Sequence, residues 1–124
     1  MPEKINSYQD LEVWQVSMDL VVLCYKVTKN FPSDERYGLT SQIRRSAASI
    51  PSNIAEGYGC DQSGSYIQFL KIAQGSAREL ETQLLIAERV GILSPDTDGN
   101  PRPLCDRNCR MLRAYIRAIE GSRH

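Results

Sequence analysis

The fold is read from Gln42-Ile43-Arg44-Arg45-Ser46-Ala47-Ala48-Ser49-Ile50-Pro51-Ser52-Asn53-Ile54-Ala55-Glu56-Gly57. Wound as a helix at about 100° per residue, this stretch and the preceding Leu39 put Leu39, Ile43, Ala47, Ile50 and Ile54 on one face. Gln42, Ser46, Ser49 and Asn53 form a row of small or amide side chains at its margin. Pro51 falls inside the pattern, where it removes a backbone donor and crowds the carbonyl of Ala47. A helix with a polar seam and an interior proline needs compensating partners, and it is expected to kink or rewind near Pro51. One reading is a structural hydrogen-bond network of Gln42, Arg44, Arg45, Asn53 and Glu56 that sets helix register. The other is a ligand or partner site opened at the kink.

Working outward, this helix spans about residues 39–58 and three others surround it. Ser7 with Asp10 three residues on resembles a capping box, with Asp in place of the usual Glu. It opens a helix over residues 8–30, preceded by a loose tail and stopped by Phe31-Pro32-Ser33-Asp34. That helix carries two apolar stripes. One holds Leu11, Trp14, Met18, Val21, Val22 and Tyr25; the other holds Val13, Val16, Leu20, Leu23, Cys24, Val27 and Phe31. A surface helix of a single bundle needs only one such face, so the surplus reads either as a small bundle packed tightly around the helix or, the favoured reading, as a subunit interface at Val13, Val16, Leu20, Leu23 and Val27.

The next connection holds Gly57, Gly59, Asp61, Ser63 and Gly64, and the third helix then covers residues 65–90. Tyr66, Phe69, Leu70, Ala73, Ala77, Leu80, Leu84 and Ala87 fall in a narrow arc of it. Glu81 and Glu88 lie beside that arc, where half-buried carboxylates need partners; Arg44 and Arg45 are the obvious ones. Ile72, Ile86 and Val90 form a weaker apolar strip, again consistent with an interface. Gly91 caps the helix in the left-handed conformation, with Ile92 and Leu93 closing over its end. A Pro/Gly/Asp-rich loop follows. Asp96, Asp98 and Asn100 start like a calcium loop, but Pro101 stands where the turn glycine belongs and Arg107 where the glutamate does. The fourth helix covers residues 104–120, with Cys105, Cys109, Leu112, Ile116 and Ile119 inward and Arg107, Arg110, Arg113 and Arg117 outward. Four helices with short connections make an all-α, up-down-up-down antiparallel four-helix bundle, a single domain over the 124 residues.

Three motifs carry a resemblance. Ser49-Ile50-Pro51-Ser52-Asn53-Ile54-Ala55-Glu56-Gly57 resembles the signature of the small four-helix-bundle proteins of the 23S ribosomal RNA intervening-sequence family. Asp10-Leu11-Glu12-Val13-Trp14-Gln15 resembles that family's opening helix, and Gly75-Ser76-Ala77-Arg78-Glu79-Leu80-Glu81-Thr82-Gln83-Leu84 its third. The resemblance runs from Leu11 to Leu93; beyond it the chain resembles only a generic closing helix. The family is similar in turn to the accessory variability protein of diversity-generating retroelements, a nucleic-acid-binding bundle that forms a ring of five. The resemblance therefore implies a bacterial protein assembled as a closed homo-oligomeric ring, a pentamer.

Charge and chemistry narrow the function classes. The formal net charge is zero, but residues 1–101 carry a balance of −4 and residues 102–124 one of +4. No apolar run approaches the ~18 residues of a membrane span, and no apolar segment follows Met1-Pro2-Glu3-Lys4, so no secretory signal is read and a cytoplasmic protein is expected. Cys24, Cys60, Cys105 and Cys109 read as buried hydrophobes rather than disulfides or zinc ligands. The only histidine is His124, which leaves no internal imidazole base. There is no phosphate-cradling glycine loop or nucleophile elbow, and no Glu-x-x-His pair for a di-metal bundle. An enzyme, a cofactor and a small-molecule substrate are not expected.

The remaining candidate is the arginine stripe. Arg107, Arg110, Arg113 and Arg117 suit phosphate because a guanidinium donates two parallel hydrogen bonds and keeps its charge. Such a stripe is also what a solvated helix face looks like, with arginines favoured near a helix C-terminus. The resemblance tilts the reading to a non-catalytic accessory protein for structured RNA or DNA, in which a ring multiplies weak contacts. The rival is a protein-interaction scaffold that binds no nucleic acid.

Overall fold

The structure is a computed structural model that describes residues 6–60 and 62–122. The expectations for the tail before Asn6, for Asp61 and for His124 lie outside the described residues. Among those described there are four α-helices and two short 3-10 turns, with no strand. The helices are α1 (Glu12–Thr28), α2 (Leu39–Tyr58), α3 (Ser63–Arg89) and α4 (Arg102–Ser122); the turns are Tyr8–Asp10 and Ser33–Glu35.

The Ser7 capping box forms as expected, with the Gln9 N–H donating to Ser7 Oγ and the Ser7 N–H to Asp10 Oδ2. It caps a 3-10 turn, however, and not one long helix. Leu11 is extended (φ −75°, ψ 125°) and separates the turn from α1. The break buries Leu11 and sets the Tyr8 ring edge-on to Trp14, 5.3 Å away. α1 ends at Thr28 and α3 at Arg89, while α3 and α4 begin two residues earlier than expected. Ser63 and Gly64 therefore belong to α3, and Pro103 sits in the first turn of α4, where its missing N–H costs nothing.

α2 keeps its expected limits and runs unbroken through Pro51, without the expected rewinding. Ile43, Ala47, Ile50 and Ile54 are fully buried along it. Each of the three isoleucines stabilises the fold by about 1.5–3 kcal/mol relative to exposure. Opposite lie Leu70, Ala73, Ala77, Leu80, Leu84 and Ala87 of α3, whose small side chains let neighbouring helices approach. The closest approach is at Gly57, where a Cβ would stand 2.6 Å from Phe69 Cβ and 2.9 Å from Tyr66 Cδ1. Leu20 and Cys24 of α1 and Cys105 and Leu112 of α4 complete the core with no exposure.

α2 packs on α1 and α3, and α4 packs on α3 and α1; α1 and α3 do not meet. The four helices therefore occupy the corners of a square in chain order. Gly91 (φ +83°) caps the end of α3 as expected. The Ile92 N–H reaches back to Ala87 O at 2.9 Å and the Gly91 N–H to Glu88 O at 3.2 Å, closing a Schellman cap.

Candidate functional site

Arg107, Arg110, Arg113 and Arg117 all lie exposed on α4. Two of them hold carboxylates: Arg107 Nη2 lies 3.3 Å from Glu12 Oε1, and Arg110 Nη2 lies 3.3 Å from Asp106 Oδ2. Both pairs are solvent-facing, so each holds its arginine by about 1 kcal/mol or less. Arg113 and Arg117, one turn apart, have no carboxylate partner among the described residues. Beside the stripe, Leu11, Glu12, Val13, Met111, Ala114 and Tyr115 line a mainly apolar groove of about 400 Å³.

The expected network around Pro51 forms with a different membership. Asn53 Nδ2 donates to the Ser49 carbonyl at 2.8 Å and to Ser49 Oγ at 3.0 Å. Ser49 Oγ lies 2.8 Å from Ser76 Oγ, and Ser46 Oγ donates to Glu79 Oε1 at 2.7 Å. The α2–α3 seam is thus built from hydroxyls, one amide and Glu79, while Gln42, Arg45 and Glu56 stay outside it.

The expected pairing of Arg44 and Arg45 with Glu81 and Glu88 does not form. Arg44 turns towards α1, where Nε donates to Thr28 Oγ1 at 2.9 Å and the guanidinium stacks 4.6 Å from the Tyr25 ring centre. Glu81 pairs with Arg78 on its own helix. Glu88 takes Arg102 at 3.2 Å and Asn100 Nδ2 at 3.0 Å, because the loop after α3 returns the start of α4 beside it. Helical phase explains the exchange: Glu79, not Glu81, is the glutamate of this pair that faces α2.

The interface candidates also divide. Val13, Val16 and Leu20 are buried inside the single chain, and Leu23 and Val27 are half-buried. The three buried side chains are taken up by the packing of the chain itself, so they are not free for a second copy. The exposed large apolar residues of α1 come from the other stripe: Met18, Val22 and Tyr25. Ile72 and Ile86 of α3 and Val90 at its C-cap are exposed as expected, at 53%, 45% and 62%.

The model of the 23S rRNA-intervening sequence protein family matches residues 9–114. The chain belongs to this family. A solved structure is similar in fold: a protein of unknown function from the S23 ribosomal protein family of Bacteroides thetaiotaomicron. Its TM-score is 0.74 at 24% identity, over 84% of this chain and 97% of that one. No curated protein matches the chain. The match to the intervening-sequence family continues beyond Leu93 to Ala114, and so takes in Arg107, Arg110 and Arg113 of the four-arginine stripe.

A second basic surface involves Arg44 and Arg45 with residues that the sequence did not suggest. Arg36 and Tyr37 lie in the connection before α2. With Tyr25, Arg44 and Arg45 they line a cleft of about 400 Å³. The signal was present in Arg36-Tyr37 and Arg44-Arg45, but the fold of the connection was not.

Ionisation is suppressed at Cys24 and Cys105, whereas the hydrogen bond from Cys105 lowers Cys109. Burial pushes the Cys24 thiol up to about 12, and the hydrogen bond with Cys109, then burial, raises Cys105. Cys105 Sγ also donates to the Ala77 carbonyl at 3.4 Å. All four cysteines are unbridged, and no group of three or more His, Cys, Asp or Glu among the described residues suits a metal ion. No helix described is long and apolar enough to cross a membrane.

Proposed function

We propose that this protein is a non-catalytic, cytoplasmic accessory protein that binds structured RNA through the outer face of α4. The observation that carries the reading is the pair Arg113 and Arg117, exposed, one turn apart and without a carboxylate among the described residues. The description of the family links it to 23S rRNA, which favours RNA over DNA as the partner. Arg107 and Arg110 join by exchanging weak surface pairs for phosphates.

One subunit offers three or four phosphate contacts, too few for tight binding at physiological salt. A closed homo-oligomer supplies the rest, and five copies are what the family resemblance implies. The α1 strip of Met18 and Val22 and the α3 strip of Ile72, Ile86 and Val90 sit on opposite corners of the square. Unlike strips on opposite corners suit a head-to-tail contact, which closes into a ring when the rotation allows. Within each subunit the helices alternate in direction. In support, contacts climb α2 as they descend α3, from Ser46–Glu79 through Ser49–Ser76 to Gly57–Phe69.

Fluorescence anisotropy against an RNA hairpin over a salt series tests the reading. Micromolar binding with a steep salt slope is expected, and Arg113→Glu with Arg117→Glu should abolish it while leaving the oligomer intact. No binding at low salt would overturn the proposal and favour a protein scaffold docked through the same apolar strips. Loss of the oligomer in the double variant would make the stripe an interface instead.

A further inference from the structure

The cleft between the end of α1 and the start of α2 has a composition that the fold does not require. Tyr37 is 89% exposed, so its ring buries almost nothing. A solvent-facing tyrosine that packs on nothing gives the fold no hydrophobic stabilisation. Facing the same space are three arginines, Arg36, Arg44 and Arg45, and the hydroxyls of Thr40 and Ser41. No Asp or Glu lines the cleft. The adjoining groove shares Arg36 and Arg44, adds Lys29, and again has no carboxylate in its lining. Glu35, in the adjoining turn, is engaged elsewhere, since its Oε1 accepts from the Leu39 N–H at 3.1 Å. All five ion pairs among the described residues use other cations.

The site is also preorganised. Arg44 is held by the Tyr25 ring, by Thr28 Oγ1 and, at 3.5 Å, by the Tyr25 carbonyl. Thr28 in turn donates to the Cys24 carbonyl at 2.7 Å. The stack fixes the guanidinium plane, so binding loses little side-chain entropy at this residue. Arg36 and Arg45 flank it as cations with no carboxylate partner among the described residues. Aromatic faces set among arginines are the chemistry of single-stranded nucleic-acid binding: rings and guanidinium planes stack on bases, and cations track the backbone. A phosphorylated peptide would use the charges but leave Tyr37 without a role. The volume of about 400 Å³ lies at the small end of ligand clefts, of order one nucleotide.

We propose that this cleft binds one unpaired nucleotide of single-stranded RNA. The base stacks on Tyr37 and on the Arg44 guanidinium that rests on Tyr25, and the flanking phosphates lie on Arg36 and Arg45. The inference rests on the proposed RNA-binding function but on residues separate from the α4 stripe. A structured RNA would then be held at two places, a helical part by α4 and an unpaired loop by the cleft.

The test is anisotropy of the full chain with a labelled single-stranded RNA 12-mer, a fully paired RNA duplex and inorganic polyphosphate. Tyr37→Ala should weaken single-strand binding roughly 5- to 150-fold, the range for loss of one base stack, and Tyr37→Phe should restore it. Neither should change duplex or polyphosphate binding, and the exposure of Tyr37 makes loss of the fold an unexpected result. Arg45→Glu should weaken single-strand and polyphosphate binding together. Unchanged single-strand binding in Tyr37→Ala overturns the cleft. Equal weakening of polyphosphate by that variant also overturns it, leaving a plain anion patch. If duplex binding persists and depends on Arg113 and Arg117 while Tyr37→Ala is silent, only the cleft assignment fails. If no RNA binds at all, the function proposed above fails with it.

Discussion

Gly57 closes the motif that decides the fold, and its role is contact. Sequence spacing places it in a connection, but it lies inside α2, where Phe69 and Tyr66 leave no room for a methyl group. Gly57→Ala should therefore destabilise the protein by about 1–3 kcal/mol, despite alanine's better helix propensity. Urea unfolding followed by circular dichroism measures it; a neutral or stabilising result would mean that α2 and α3 can part without loss. Arg44 teaches the same lesson about direction. Its place on the helix wheel is legible, but its partners, Thr28 and the Tyr25 ring, come from a helix whose rotation no spacing within α2 specifies.

The third helix and its cap follow almost directly from the sequence, because the signals are local. Gly91 has φ +83°, and a Cβ added there would meet nothing within 4 Å, so only its backbone conformation demands glycine. Gly91→Ala should cost about 1–2 kcal/mol through the left-handed conformation alone, lowering the thermal midpoint without altering the helical spectrum. A larger loss with reduced helicity would mean the cap also holds the start of α4. The first helix is less legible. Leu11 interrupts it because burying that side chain beside the core outweighs continuing a helix whose cap, Ser7, lies four residues earlier. Both apolar stripes of α1 are visible in the sequence, but which one the fold consumes is not.

At the level of the whole molecule, the square order of the helices leaves apolar surface on two opposite corners. Val22→Glu and Ile72→Glu, introduced separately, should each shift the protein to monomer in light scattering while preserving its helical spectrum. Mixing the two variants should not rebuild a closed ring, since a head-to-tail contact fails wherever either strip is charged. Wild-type protein that runs as a monomer at high concentration would sink the assembly and the avidity argument with it. The arginines on α4 and those in the Tyr37 cleft lie on different corners, so their salt dependences should be separable by mutation.

The helices, their apolar faces, the α3 cap and the arginine row on α4 were all legible in the chain, because each depends on residues within a few turns of one another. Periodicity, capping and left-handed glycine are properties of short segments, and they survive whatever the rest of the molecule does. The partners of Arg44, Glu81 and Glu88, the burial of Val13, Val16 and Leu20, and the meeting of Tyr37 with Arg44 and Arg45 were decided only in three dimensions. Each depends on the rotation of one helix about its axis relative to another, or on the path of a connection. Those are set by the packing of the whole core, as at Gly57, and a change of one helical position there moves a side chain by about 100°.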